Sequence, residues 1–202
     1  MTIRLLLADD QSLVRSALAA LLSLESDFTV VSEVGRGDEV VAAAKAHHPD
    51  VALVDIEMPG IDGLAAAAAM SREVPGCRVI IVTTFGRAGF LRRALESGAK
   101  GFIVKDAPSE QLADAVRRVA AGQLVVDPAL AAATIATGPS PLTGRERDVL
   151  AAARHGATIA DIAARLFLSE GTIRNYLSAA IAKTNTRNRT EAVQVADENG
   201  WL

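Results

Sequence analysis

Along the first 120 residues, short apolar runs alternate with stretches of helical periodicity. Residues 3–8 form an apolar run closed by Asp9 and Asp10. Residues 12–24 follow with Leu13, Ala17, Leu18, Leu21 and Leu22 on one helical face. Further runs that read as buried strands fall at residues 29–34, 51–54, 79–82 and 102–104. Helical stretches lie between and after them, at residues 38–47, 64–73, 88–97 and 109–121, the last opened by Pro108-Ser109. Strand and helix alternating five times predict an α/β fold. The expected core is a doubly wound, five-stranded parallel sheet covered on both faces.

The pattern then changes. Residues 122–140 read as a linker, with a short helix at 129–137. The segment Gly138-Pro139-Ser140-Pro141 cannot continue that helix, because proline lacks a backbone donor and restricts its predecessor. Residues 141–202 show helical patterns only. Thr143 and Glu146 have capping-box spacing. Two short helices, residues 158–166 and 170–184, are joined by a tight turn at Leu168-Ser169, and a further helix covers 190–198. That arrangement predicts a small all-α helix-turn-helix domain. The expected organisation is therefore residues 1–121, a linker at 122–140, and residues 141–202.

Composition narrows the function classes. Half of the 202 residues are hydrophobic and 39 are alanine, against 3% aromatic. This excludes a disordered chain and disfavours an all-β fold. A single cysteine, Cys77, excludes an internal disulfide framework and fits a reducing compartment. No run reaches the length of a membrane span or of a signal-peptide core. The expectation is a soluble, cytoplasmic protein with no membrane partner.

The net charge of -3 alone speaks against a nucleic-acid binder. Divided by region, however, residues 1–121 carry -3 and residues 141–202 carry +1. Gly171 to Thr190 holds Arg174, Lys183, Arg187 and Arg189 with no acidic residue, a local concentration of positive charge where DNA would lie. In the helix from residue 170, Ile173, Leu177 and Ile181 recur at core spacing, which leaves Arg174, Asn175 and Ser178 on the other side. Arg can read guanine and Asn adenine. Thr172 and Tyr176 suit phosphate contact or packing. The alternative is an ordinary solvated helix face.

The candidate chemistry in the first region sits where strands end. Asp9 and Asp10, Asp55, Thr83 and Lys105 each follow an apolar run, and ligands of open parallel sheets bind beyond those ends. Three crowded carboxylates call for a hard cation such as Mg²⁺. A carboxylate nucleophile, a Lys and a Thr around such an ion suit phosphoryl transfer, with Asp55 on the central strand as acceptor. The alternative is a set of strand-end polar groups facing water. Two rival functions stay open on the residues alone: an aspartyl-phosphate phosphohydrolase that turns over on Asp55, and a constitutive DNA binder whose first domain only dimerises.

The stretch Pro49-Asp50-Val51-Ala52-Leu53-Val54-Asp55-Ile56-Glu57-Met58-Pro59-Gly60, with the Asp9-Asp10 pair, Thr83 and Phe102-Ile103-Val104-Lys105, resembles a response-regulator receiver domain over residues 1–121. Leu142-Thr143-Gly144-Arg145-Glu146 and the run from Ile162 to Tyr176 resemble the LuxR-type helix-turn-helix of the NarL/FixJ response regulators. Asp55-Ile56-Glu57-Met58-Pro59-Gly60, Thr83-Thr84-Phe85, Arg174-Asn175-Tyr176-Leu177-Ser178 and Gly200-Trp201-Leu202 are similar to the DesR-type branch, linked to control of membrane-lipid desaturation.

The resemblance implies a regulator and not an enzyme. It implies that Asp55 is phosphorylated by a sensor histidine kinase, and that Asp10 and Asp55 bind Mg²⁺ with Asp9 nearby and Glu57 giving its backbone carbonyl. Thr83 and Lys105 would hold the phosphoryl group, and Phe102 occupies the place of an aromatic switch residue, without a hydroxyl. Thr172, Arg174, Asn175, Ser178, Lys183 and Arg189 would meet promoter DNA. Phosphorylation would promote a homodimer placing two recognition helices about one DNA turn apart, with RNA polymerase a candidate further partner.

Overall fold

The computed structural model describes residues 2–84, 88–138 and 140–202. Phe85 and Gly86 of the turn after Thr83, and Pro139 of the Gly-Pro-Ser-Pro segment, lie outside the described residues.

The first unit alternates as its pattern predicts: β1 (Ile3–Ala8), α1 (Ser12–Ser23), β2 (Phe28–Val34), a 3-10 turn (Gly37–Glu39), α2 (Val40–His47), β3 (Val51–Asp55), α3 (Gly63–Glu73), β4 (Arg78–Thr83), α4 (Ala88–Glu96), β5 (Gly101–Val104) and α5 (Ser109–Ala120). The strands are parallel and ordered β2-β1-β3-β4-β5, with a sixth strand, β6 (Val125–Val126), at the far edge. Alternate residues of each strand face opposite sides of the sheet. Leu5, Leu7, Leu53, Ile80 and Val82 meet Leu22 of α1 and Leu112, Val116 and Val119 of α5 in one buried cluster. Helices α2 and α3 bury Val40, Ala44, Ala66, Ala67 and Met70 against the rest of the first unit. With both faces covered, β3 is buried along its whole length, which is why it reads as an unbroken apolar run before Asp55.

The expected five strands are one short. Val125 and Val126 pair with Gly101 and Phe102, inside the stretch read as linker. Two residues are too few to show a strand period, and Gly122 (φ 90°) turns the chain back to the sheet edge with no apolar run to announce it. The first compact unit accordingly reaches Ala131. Helix α6 (Pro128–Thr137) starts one residue before its expected place, where the Asp127 carboxylate accepts from the Leu130 N–H.

The second unit is helical: α7 (Gly144–Ala152), a 3-10 turn (Arg154–Gly156), α8 (Ile159–Leu166), α9 (Glu170–Lys183) and α10 (Arg189–Glu198). Val149, Leu150, Ile162, Ile173, Leu177, Ala180, Ala192 and Ala196 form its buried core. The helix starts are fixed by side chains. Thr143 with Glu146, and Thr158 with Asp161, form capping boxes, while Ser169 and Asn188 cap α9 and α10.

One close approach ties the fold to its strand ends. The Gly63 N–H donates to the Ile56 carbonyl at 2.9 Å, and a Cβ on Gly63 would lie 1.8 Å from the Asp55 carbonyl oxygen. Gly63→Ala is therefore expected to destabilise the first unit by about 1–3 kcal/mol through overpacking. Urea denaturation measures this, and an unchanged midpoint would contradict the packing described.

Candidate functional site

Register brings the acidic residues together. β1 and β3 are adjacent and parallel, with Ala8 opposite Val54, so the residues that follow, Asp9 and Asp55, emerge side by side. This is the point where strand order reverses, the usual ligand crevice of such sheets. Asp9 and Asp55 are 2% and 5% exposed, and Asp10 is exposed at the rim. One carboxylate oxygen from each of the three lies within 4.8 Å of the others.

Lys105 reaches this cluster from β5. Its N–H donates to the Thr83 carbonyl at 2.7 Å, which fixes the backbone beyond the strand. Its ammonium then sits 2.7 Å from Asp9 and 2.9 Å from Asp55. Thr83 is buried at the end of β4. The Ile56 N–H donates to Asp55 and the Gln11 N–H to Asp9, which orients both carboxylates. Burial pushes the Asp55 carboxyl above its ordinary value, against the pull of Lys105. Burial would lower the Lys105 ammonium, but hydrogen bonds to Asp9 and Asp55 outweigh it and hold the group above its ordinary value. Three carboxylates against one ammonium leave a deficit of two positive charges in an all-oxygen donor set. That set fits a hard divalent cation such as Mg²⁺.

The other expected members of this site are placed less centrally. The Glu57 side chain is exposed in the loop after β3. Phe102 is buried in β5 between β4 and β6, where its ring is a core group.

In the second unit, Ile173 and Leu177 face the core with Ile181 packed beside them, and Arg174, Asn175 and Ser178 are exposed on α9. Tyr176 packs against the core. The Thr172 hydroxyl lies 2.8 Å from that of Ser169, within the helix cap. The cations of the basic stretch all have partners. Arg174 pairs with Glu170 and Arg187 with Glu191, each at 2.8 Å. Lys183 pairs with the buried Glu146 at 2.8 Å, and Arg189 donates to the Ala157 carbonyl at 3.0 Å.

The charge window from Gly171 to Thr190 stopped one residue short of an acid at each end, Glu170 and Glu191. Both stand at i,i+4 spacing from their partners, the signal that would have revealed them. Exposed pairs of this kind contribute little to stability, so Arg174 and Arg187 are held only weakly by their partners. Lys183 and Arg189 instead tie α9 and α10 to the rest of the domain. The role of Glu146 as anchor of Lys183, beyond its cap, had no local sequence signal, because the two are 37 residues apart.

Residues 5–117 match the response regulator receiver domain, and residues 140–196 match the bacterial regulatory proteins of the luxR family. The chain belongs to the response regulators. The regulator is 42% identical over 99% of its length to the whole of the transcriptional regulatory protein YvfU of Bacillus subtilis. It is 41% identical to the transcriptional regulatory protein DesR of the same organism, with 99% of each chain covered. Among solved structures, it resembles the response regulator ChrA of a heme-sensing two-component system, with a TM-score of 0.60, 33% identity, 100% of this chain covered and 99% of that one. It is thus a two-component response regulator with a DNA-binding, transcriptional role, and its relatives are regulators rather than enzymes. Among its described residues, no helix is long and apolar enough to cross a membrane.

Two outcomes follow from the charges. Because the folded Asp55 carboxyl is raised, its ionised form opposes folding above its ordinary pKa of about 3.9, and that cost shrinks as pH falls toward it. Without divalent cations, Asp55→Asn should therefore be more stable than the parent at pH 7, with an advantage that narrows in acid; a pH-independent difference would contradict the burial argument. The opposite sign holds for Glu146. Burial alone would raise this carboxyl, but Lys183 and the Thr143 backbone outweigh that and hold it below its ordinary value. Its contribution is complete above the ordinary glutamate pKa and lost as pH falls through the lowered one. Glu146→Gln should lower the thermal stability of the helical domain at pH 7 by several degrees and flatten its acid dependence, readable by circular dichroism.

Proposed function

We propose that Asp55 accepts a phosphoryl group from a sensor histidine kinase, and that the phosphorylated chain dimerises and binds promoter DNA with sequence specificity. The observation that carries this reading is the Lys105 ammonium held between buried Asp9 and Asp55, with Thr83 buried at the end of the adjacent strand.

In the transfer, an Asp55 carboxylate oxygen attacks phosphorus, the phosphorus–nitrogen bond of the kinase phosphohistidine breaks, and the imidazole leaves with the bond's electron pair and takes up a proton. A Mg²⁺ ion held by Asp9, Asp10, Asp55 and the Glu57 carbonyl would offset charge on the phosphoryl oxygens. The new group adds about 1.5–2 negative charges and three acceptor oxygens. Lys105 then exchanges a carboxylate for a phosphoryl oxygen, and Thr83 donates its hydroxyl to another. Those shifts move the ends of β4 and β5, and buried Phe102 transmits the change to the neighbouring core, the kind of local event that biases a two-state surface.

On DNA, Arg174, Asn175 and Ser178 are the proposed base-edge contacts, with Thr172, Lys183 and Arg189 nearer the phosphates. A domain of net charge +1 binds weakly alone, so affinity depends on pairing two copies. Genes of membrane-lipid control are the proposed targets on the DesR-type resemblance, and RNA polymerase a proposed further partner.

With acetyl phosphate and Mg²⁺, the chain should take up one phosphoryl group, lost in Asp55→Ala and with chelator. The phosphorylated chain should then bind a duplex selected from a random pool at least tenfold tighter than Asp55→Ala does. Equal binding of treated parent and Asp55→Ala would overturn the switch.

A further inference from the structure

The turn between α8 and α9 holds a residue that the fold does not explain. Phe167 closes α8 in the left-handed conformation, φ 55° and ψ 44°, with its N–H directed to the Ala163 and Ala164 carbonyls. That position in a helix end is the usual place of glycine or asparagine, and a bulky aromatic there is an outlier. Asn185 shows the ordinary solution in the same domain, at φ 53°.

Burial does not compensate. Phe167 is 94% exposed, while its neighbours Leu166 and Leu168 pack against the domain core. The backbone strain opposes folding and the exposed ring buries nothing to offset it, and an outlier maintained without compensation is a reason to look for a role outside the fold.

Its place in the motif indicates the role. Phe167 stands two residues before Ser169, which caps the N-terminus of α9, and α9 exposes Arg174 and Asn175 within its first two turns. In helix-turn-helix docking the second helix enters the major groove by its N-terminal residues while the first crosses the backbone. The turn joining them therefore lies at the mouth of the groove. A phenyl ring offers no hydrogen bond to phosphate or to a polar base edge. The apolar group that the major groove presents is the C5-methyl of thymine.

We propose that Phe167 is a specificity-determining DNA contact that reads a thymine methyl at the edge of each half-site. This rests on the DNA-binding reading of the helical domain and adds to it a base that the exposed face of α9 does not itself read.

The test uses the full chain and a duplex selected with it from a random pool. Each thymine of the selected site is replaced in turn by uracil, which removes only the methyl. At one position per half-site, the parent should lose about fourfold in affinity, the value of one buried methyl group. Phe167→Asn and Phe167→Gly should bind the parent duplex more weakly by at least that factor and show no loss on uracil replacement there. Both variants should melt no lower than the parent, since they relieve the turn. Parent binding that is insensitive to every thymine methyl overturns the proposal, as does retention of the uracil effect in the variants. Absence of binding to any duplex overturns this and the DNA-binding reading together, whereas methyl-insensitive binding overturns this one alone.

Discussion

The receiver depends on a charge imbalance held in a buried place. Asp9 and Asp55 are brought side by side by parallel pairing of β1 and β3, and both are removed from water. Two buried carboxylates at that distance are unfavourable unless a cation lies between them. The Lys105 ammonium is that cation, and it is also insufficient, because Asp10 adds a third negative group at the rim. The site is therefore stable enough to fold and short of positive charge, a donor set that fits a hard divalent cation.

The rest of the first unit serves that geometry. The Lys105 backbone is fixed by the Thr83 carbonyl, so a change at the ammonium bears directly on the end of β4. Gly63 lets the start of α3 lie against the Asp55 main chain, where a side chain would collide with its carbonyl. On the sheet's outer edge, Arg117 of α5 pairs with Glu25 and Asp27 and lies over the Phe28 ring, joining the start of β2 to the helix that covers the core. The helical unit uses the same device in milder form. Glu146 is buried, caps α7, and is balanced by Lys183 at the end of α9.

How much of this the chain announces depends on the range of the interaction. The alternation of apolar runs and helical faces was legible because each strand is buried on both sides. The site was legible because polar groups follow such runs directly: Asp9, Asp55, Thr83 and Lys105 do meet at one end of the sheet. β6 escaped notice, as two valines carry no period. The partners of the basic stretch leave no signal within it, because Glu170 and Glu191 lie just outside it and Glu146 far from it in sequence. Phe167 looks like an ordinary apolar residue in a turn, and only its backbone angle and exposure mark it out.

The central claim, that Lys105 is required because Asp9 and Asp55 are both charged and buried, is tested most directly by a double-mutant cycle on unfolding free energy at pH 7 without divalent cations. Lys105→Met should cost about 3–5 kcal/mol in the parent chain, the usual penalty for stranding a buried charge. In the Asp9→Asn, Asp55→Asn background the same substitution should cost less than about 1 kcal/mol. An equal loss in both backgrounds would show that Lys105 stabilises the fold by packing alone, and would contradict the account.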